Sequence, residues 1–282
     1  MQAKGKMVMA KLSISKAWED SKAVLARDSK LIGAVALALI LFPQAVAGTI
    51  APPPELSGVE PPGWLGLFTL VVAFVGLVGQ VAIVRLAIGP PASVAEAIAH
   101  GARRAPIVLL AVILFGFLLV LLMVPLALVL IGPEGLEAVS KGTRDPQILR
   151  SLSPILLLII AIAVRFQLTV PVAAMESAGP IRMLRRSWDL TRGSYWRLLA
   201  FLLIVLVTAL IIQLVAQMIG GILGRLVFGD INPWSAGALA VALIAGAAQA
   251  ALSVVVTLML AQIYIQKAAP AHDDVSVPAS GS

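Results

Sequence analysis

Residues 105–131 read APIVLLAVILFGFLLVLLMVPLALVLI, an apolar run without a single charged side chain. A hydrocarbon slab of roughly 30 Å takes about 20 such residues per helix, so this stretch is long enough to cross one. Five more runs of the same kind occur, at residues 31–50, 64–86, 152–174, 198–219 and 235–266. The whole chain is 282 residues, 60% hydrophobic and only 12% charged, with a mean hydropathy of +1.01. No water-soluble core hides that much apolar surface. Because lipid cannot satisfy backbone N–H and C=O groups, and no run alternates as a barrel strand does, the six runs are expected to be helices. The fold expected is an all-α integral membrane bundle, with residues 1–267 as one six-helix domain and 268–282 as a small, polar, disordered tail.

The Lys and Arg residues fall almost entirely in alternate connections. Residues 1–30 hold seven, the second connection has Arg85, Arg103 and Arg104, the tail has Lys267, and the fourth connection adds Arg165, Arg182, Arg185, Arg186, Arg192 and Arg197. The opposite side has only Lys141, Arg144, Arg150 and Arg225. By the positive-inside rule both termini face the cytoplasm, in a bacterial-type inner membrane. Ala45-Val46-Ala47 before Gly48 resembles a signal-peptidase site, but a preceding region of some 30 residues containing Glu19, Asp20 and Asp28 argues for a retained first span. The net charge of +7 is spread over short juxtamembrane segments without interleaved aromatics, so nucleic acid is not an expected partner. With no Cys there is no disulfide framework or thiolate metal site.

Three openings of similar pattern precede the first, third and fifth runs: SISKAWEDSKAVLARDSKLI from Ser13, SVAEAIAHGARRAPIVLL from Ser93 and GPIRMLRRSWDLTRGSYWRLL from Gly179. In them Trp18, Ile98 and Leu184 correspond, as do Ser21, Gly101 and Ser187. This predicts three hairpin-like units, each preceded by a cytoplasmic interfacial helix. Ser93 with Glu96 forms a capping box, and Pro180 and Gly193 bracket the third helix. The extended connections around Ala51-Pro52-Pro53-Pro54 and Pro61-Pro62 read as polyproline spacers.

Candidate site residues fall into two groups. Arg165, Arg182, Arg185, Arg186, Arg192 and Arg197, with Trp188 and Trp196 at headgroup depth, form a basic and aromatic belt. It serves either as an orientation anchor or as a binding site for anionic headgroups, each charge contributing on the order of 1 kcal/mol near an anionic leaflet. Arg165 lies within the fourth run and either snorkels or finds Glu176, a carbonyl freed by Pro171, or a lipid phosphate. The second group is a polar stripe: Gln213 and Gln217 share a face of the fifth run, and Gln249, Ser253 and Thr257 one of the sixth. Interhelical hydrogen bonding is the expected role of these groups, a polar pathway that includes Gln80 being the alternative. Beside them Ala238, Ala242, Gly246 and Ala250 make a small-residue ridge that predicts close helix packing, within the bundle or in a dimer.

His100 and His272 have no metal-ligand spacing, and phosphate loops, dinucleotide glycine fingerprints and nucleophile elbows are missing from the sequence. No enzyme, metal or cofactor is expected. The segment from Arg165 to about Leu199, with Pro171, Glu176, Gly179-Pro180, an Arg-Ser-Trp helix and a Gly-x-x-Trp-Arg lead into the next run, resembles the membrane domain of bacterial glycerophosphoryl diester phosphodiesterases and their stand-alone multi-helix relatives. The hydrolase of that family is a separate soluble domain opening on His-Arg-Gly, a tripeptide this chain lacks. The resemblance therefore implies the membrane module without phosphodiesterase activity, and carries over no catalytic residue. The function expected is a non-catalytic, multi-pass scaffold or lipid-associated protein with anionic membrane lipids as partners, and a homodimer or a separately encoded protein as a further one. A solute or lipid transporter, and a membrane anchor for a separately encoded hydrolase, are the alternatives.

Overall fold

The computed structural model describes residues 12–58, 63–140 and 145–268. Lys4, Lys6, Lys11, Pro61, Pro62, Lys141, Arg144, His272 and the expected tail from residue 269 lie outside the described residues. Every regular element described is helical: α1 (Ile14–Ala36), a π turn (Leu37–Leu41), α2 (Phe42–Ile50), α3 (Pro54–Ser57), α4 (Leu65–Ile88), α5 (Val94–Ser140), α6 (Pro146–Phe166), α7 (Thr169–Met175), α8 (Pro180–Thr191), α9 (Tyr195–Phe228) and α10 (Ala236–Ala268). Among the described residues six helical stretches are long and apolar enough to cross a membrane, in register with the six apolar runs.

The interfacial segments differ from expectation. Only the third is a discrete helix, α8, closed off by the Arg192 to Ser194 turn with Gly193 at φ +76°. The first continues into the first span through a kink at Asp28 (φ −113°, ψ 19°). The second is the opening of α5, whose 47 residues run on across Pro106. No glycine with a left-handed backbone separates either opening from its span, so the hydrogen-bond ladder carries through; Pro106 removes one donor, facing the carbonyl of exposed Ala102. The capping box is present, with the Ser93 N–H donating to Glu96 Oε2 at 2.8 Å and the Glu96 N–H to Ser93 Oγ at 3.3 Å.

Helix pairing does not single out the three hairpin-like units. α9 and α10 make the most extensive contact, as the third unit requires, but the next is α4 with α5, which joins the first unit to the second. α1, the π turn and α2 lean chiefly on α10. The α4–α5 contact depends on Gly101, where an added Cβ would stand 2.5 Å from the carbonyl oxygen of Val78. The three equivalent small positions of the openings, Ser21, Gly101 and Ser187, are all buried, so the shared pattern marks shared packing. The small-residue ridge packs inside the bundle: Ala238, Ala242, Gly246 and Ala250 are buried, and a Cβ on Gly48 of α2 would lie 2.8 Å from Ala242 Cβ.

The apolar core is concentrated at the end of the bundle where α8 sits. There Val81, Val84, Val108, Leu168, Met183, Leu198 and Ile263 pack together, and a second cluster joins Ile32, Val35, Ile83 and Leu258. The middle of α5 and most of α9 present leucines outward, the surface expected where the solvent is hydrocarbon.

Candidate functional site

The fourth span breaks at Gln167 and Leu168, between α6 and α7. Pro171 has no N–H to offer the Gln167 carbonyl, which accounts for the interruption. Arg165, one residue before the end of α6, is held in an aromatic cage: its guanidinium carbon lies 4.8 Å from the Trp188 ring centre and 4.9 Å from that of Tyr195. Nη1 reaches Thr191 Oγ1 at 3.5 Å, the Ser187 hydroxyl donates to the Arg165 carbonyl at 2.9 Å, and the Tyr195 hydroxyl donates to the Ala161 carbonyl at 3.2 Å. Phe166 stacks between Phe115 and Trp188, with centroids 4.3 and 5.8 Å away. Arg165 thus ties α6 to α8 and α9. Glu176, offered as its partner, instead accepts from Arg186 Nε at 3.1 Å and the Tyr264 hydroxyl at 3.0 Å.

The remaining belt residues divide in the same manner. Arg197 Nη1 donates to the Leu12 carbonyl at 2.7 Å, while Gln266 brackets Ser13, accepting its N–H at 3.0 Å and donating to its carbonyl at 3.2 Å. The start of α1 is therefore pinned to the start of α9 and the end of α10, at one end of the bundle. Arg192 lies 3.9 Å from Asp189. Arg182 and Arg185, three apart on the exposed face of α8, have no partner among the described residues. Trp196 is 78% exposed and touches Tyr195 edge-on at 5.5 Å. Of the predicted belt, then, Arg182, Arg185 and Trp196 point outward, and the other arginines make intramolecular contacts. His100 Nε2 sits 2.9 Å from the Ala174 carbonyl, and among the described residues no three His, Asp or Glu side chains come together.

The polar stripe converges. Gln213 and Gln217 of α9 and Gln249 of α10 line one cavity of about 570 Å³, together with Gln44 of α2 and Thr69 of α4. A second cavity, of about 250 Å³, is lined by Gln80, Gln249, Ser253 and Thr257 and reaches Pro171 of α7. Gln249 and Ala209 border both, so the two chambers stack along one face of α10. α9 packs on α10 and α6, whereas α4 packs on α5, α10, α1 and α7. α10 is the floor that the two walls share, and the larger of these two chambers, of about 570 Å³ and called the outer chamber below, lies between them. A larger space of about 910 Å³ against α1, α9 and α10 is lined almost wholly by carbon, with Ser15, Glu19 and Thr208 as its polar residues.

The interhelical hydrogen bonds expected of these amides are not found among the described residues. Among the described residues, none of Gln44, Gln80, Gln213, Gln217 and Gln249 makes a side-chain hydrogen bond, and nor do Ser253 or Thr257. Each carboxamide carries two N–H donors and a carbonyl oxygen that can accept two hydrogen bonds, and leaving such a group unpaired in hydrocarbon costs several kcal/mol, so the chambers offer a concentrated set of unused hydrogen-bonding groups. Sequence reasoning did not include Gln44 or Thr69. The signal for Gln44 was Pro43, whose missing N–H accompanies the π turn that places α2.

The family model described as a domain of unknown function, DUF7847, matches residues 12–267. No curated protein and no solved structure matches the chain. The match covers nearly all of the sequence, and the chain belongs to that family.

Proposed function

We propose that this member of the DUF7847 family is a non-catalytic, multi-pass membrane protein that holds a polar molecule, or the polar part of a lipid, inside the bilayer and passes it along α10. The observation that carries this reading is the convergence of Gln213, Gln217 and Gln249 on one chamber that continues past Gln249 to Gln80, Ser253 and Thr257. Binding sites are concave, mostly apolar and furnished with a few convergent polar groups, and intramembrane polar residues that face a cavity mark ligand pathways. The opening between α4 and α9 suits a ligand arriving sideways from lipid. Both termini are assigned to the cytoplasm of an inner membrane, on the Lys and Arg count and on the meeting of Ser13 with Gln266 at one end of the bundle.

A second reading keeps the lipid-associated scaffold. Arg182 and Arg185 are exposed and unpaired among the described residues, on a short helix whose other face, Met183, Ser187 and Leu190, is buried. α8 is thereby suited to lie along an anionic leaflet, and the likeness of the segment around it to the phosphodiesterase membrane domain supports a phospholipid setting. Two such arginines contribute about 2 kcal/mol together, roughly thirtyfold in affinity. Anchoring of a separately encoded hydrolase belongs to this reading as its partner form.

Native mass spectrometry of the delipidated protein separates the two. The chamber reading predicts a retained molecule that survives conversion of Arg182 and Arg185 to Gln. Retention lost in that variant transfers the function to the α8 surface.

A further inference from the structure

We infer that the outer chamber takes an uncharged, multiply hydroxylated group, either the head of a neutral glycolipid or a free polyol of the same chemistry, and that Gln44 selects it. The inference rests on the chamber reading above and adds the ligand class. Its first support is charge. The polar side chains lining the chamber are Gln44, Thr69, Gln213, Gln217 and Gln249, and no Asp, Glu, Lys, Arg or His is among the lining residues. A headgroup ion there would lose its hydration with no countercharge, which is expensive in a low-dielectric setting. Hydroxyl groups both donate and accept, and four carboxamides offer donors and acceptors in equal readiness. A volume of about 570 Å³ accommodates a sugar-sized head.

Its second support is how Gln44 reaches the chamber. The Phe42 N–H bonds to the Leu37 carbonyl, five residues back, in the π turn that precedes α2. One extra residue in a helix turns everything beyond it by about 100°. Pro43 follows, unable to donate to Leu39, so the widened turn is where the ladder tolerates it. Beyond the turn Gln44, Ala47 and Gly48 all line the chamber, Gly48 against Ala242, and a Cβ on Gly246 would lie 3.8 Å from Gln44 Cβ. π turns inside α-helices frequently occur at functional sites. Here the turn has a specific product, since it brings a fourth carboxamide to the chamber that Gln213, Gln217 and Gln249 line.

The test uses the full chain, delipidated in mild detergent, with monoglucosyl diacylglycerol or phosphatidylglycerol added back separately and retention read by native mass spectrometry. Glycerol flux into proteoliposomes, followed by light scattering, probes the free polyol. Gln44→Met is nearly isosteric and removes only the amide. Ala245→Leu, which fills the chamber with carbon, serves as a second variant should the first elute as aggregate. The expected result is glycolipid retention, or glycerol flux if the source is the free polyol, that falls about tenfold in Gln44→Met and is lost in Ala245→Leu, with phosphatidylglycerol unaffected. Phosphatidylglycerol retained in a manner sensitive to either variant overturns the neutral ligand class. Retention of glycolipid or flux of glycerol that Ala245→Leu abolishes and Gln44→Met leaves intact overturns the role of Gln44. If the wild type neither retains nor passes any of the three probes, and Ala245→Leu changes nothing, the chamber reading itself fails along with the inference.

Discussion

Changing Gln213 and Gln217 together to Leu is expected to leave the protein folded, at least as heat-resistant as the wild type, and unable to keep its ligand. The two amides lie one turn apart on α9 and face the chamber without a hydrogen-bond partner among the described residues. If their role were to hold helices together, removing them would destabilise the bundle by roughly 0.6 kcal/mol for each bond lost. As chamber-lining groups that make no hydrogen bond to another helix among the described residues, they add nothing to the stability of the fold, and Leu in their place costs it nothing. An unchanged apparent Tm is therefore expected by scanning fluorimetry in detergent. Ligand retention should drop at least thirtyfold, from the loss of two hydrogen bonds of about 1 kcal/mol each. A clear fall in Tm would return the amides to a structural role, and unaltered retention would remove them from the site.

Arg165→Ala is expected to be strongly destabilising at the end of the bundle that holds α8. It empties a cage in which one guanidinium meets two rings below 5 Å, and a half-buried cation over an aromatic face is worth about 1–2 kcal/mol per ring. Thr191 loses its contact as well. A loss of roughly 2–4 kcal/mol is expected, accompanied by a shift in tryptophan emission as Trp188 is released. Arg165→Lys keeps the charge but not the flat, stacking group, and should fall between the two. If Arg165→Ala melts with the wild type, the side chain is an outward lipid contact, as the belt reading first had it.

Much of the fold was legible because its governing constraint is simple. A residue run such as 105–131 has one way to satisfy its backbone in lipid, so the spans followed from length and hydropathy. The buried ridge of Ala238, Ala242, Gly246 and Ala250 was equally readable, since four-residue spacing puts those positions on one helix face. Helix partners were harder, because Gly101 marks a close approach without saying that Val78 is the neighbour. The same limit applies to Arg165. Sequence offers Glu176 as the nearest acid, whereas α8 and the start of α9 fold back to bring Trp188 and Tyr195 over the guanidinium and leave Glu176 to Arg186 and Tyr264. In the polar stripe the membership of Gln213, Gln217, Gln249, Ser253 and Thr257 was visible from periodicity. Their unpaired state was not, because pairing depends on which helix stands opposite, and Gln44 stayed hidden because a regular helix period does not anticipate a π turn.

The most direct test exploits the complete lack of Cys in the chain. Ala209→Cys, at a position that borders both chambers, and Ile211→Cys, at a position 56% exposed on the outward side of α9, can each be challenged with a small water-soluble thiol reagent in proteoliposomes. A thiol reacts as its thiolate, which needs a polar surrounding. The chamber account predicts that the thiol of Ala209→Cys is modified, that added ligand protects it, and that the thiol of Ile211→Cys stays inert in hydrocarbon. Equal inertness at both positions would contradict it, and the amides would then line nothing but lipid.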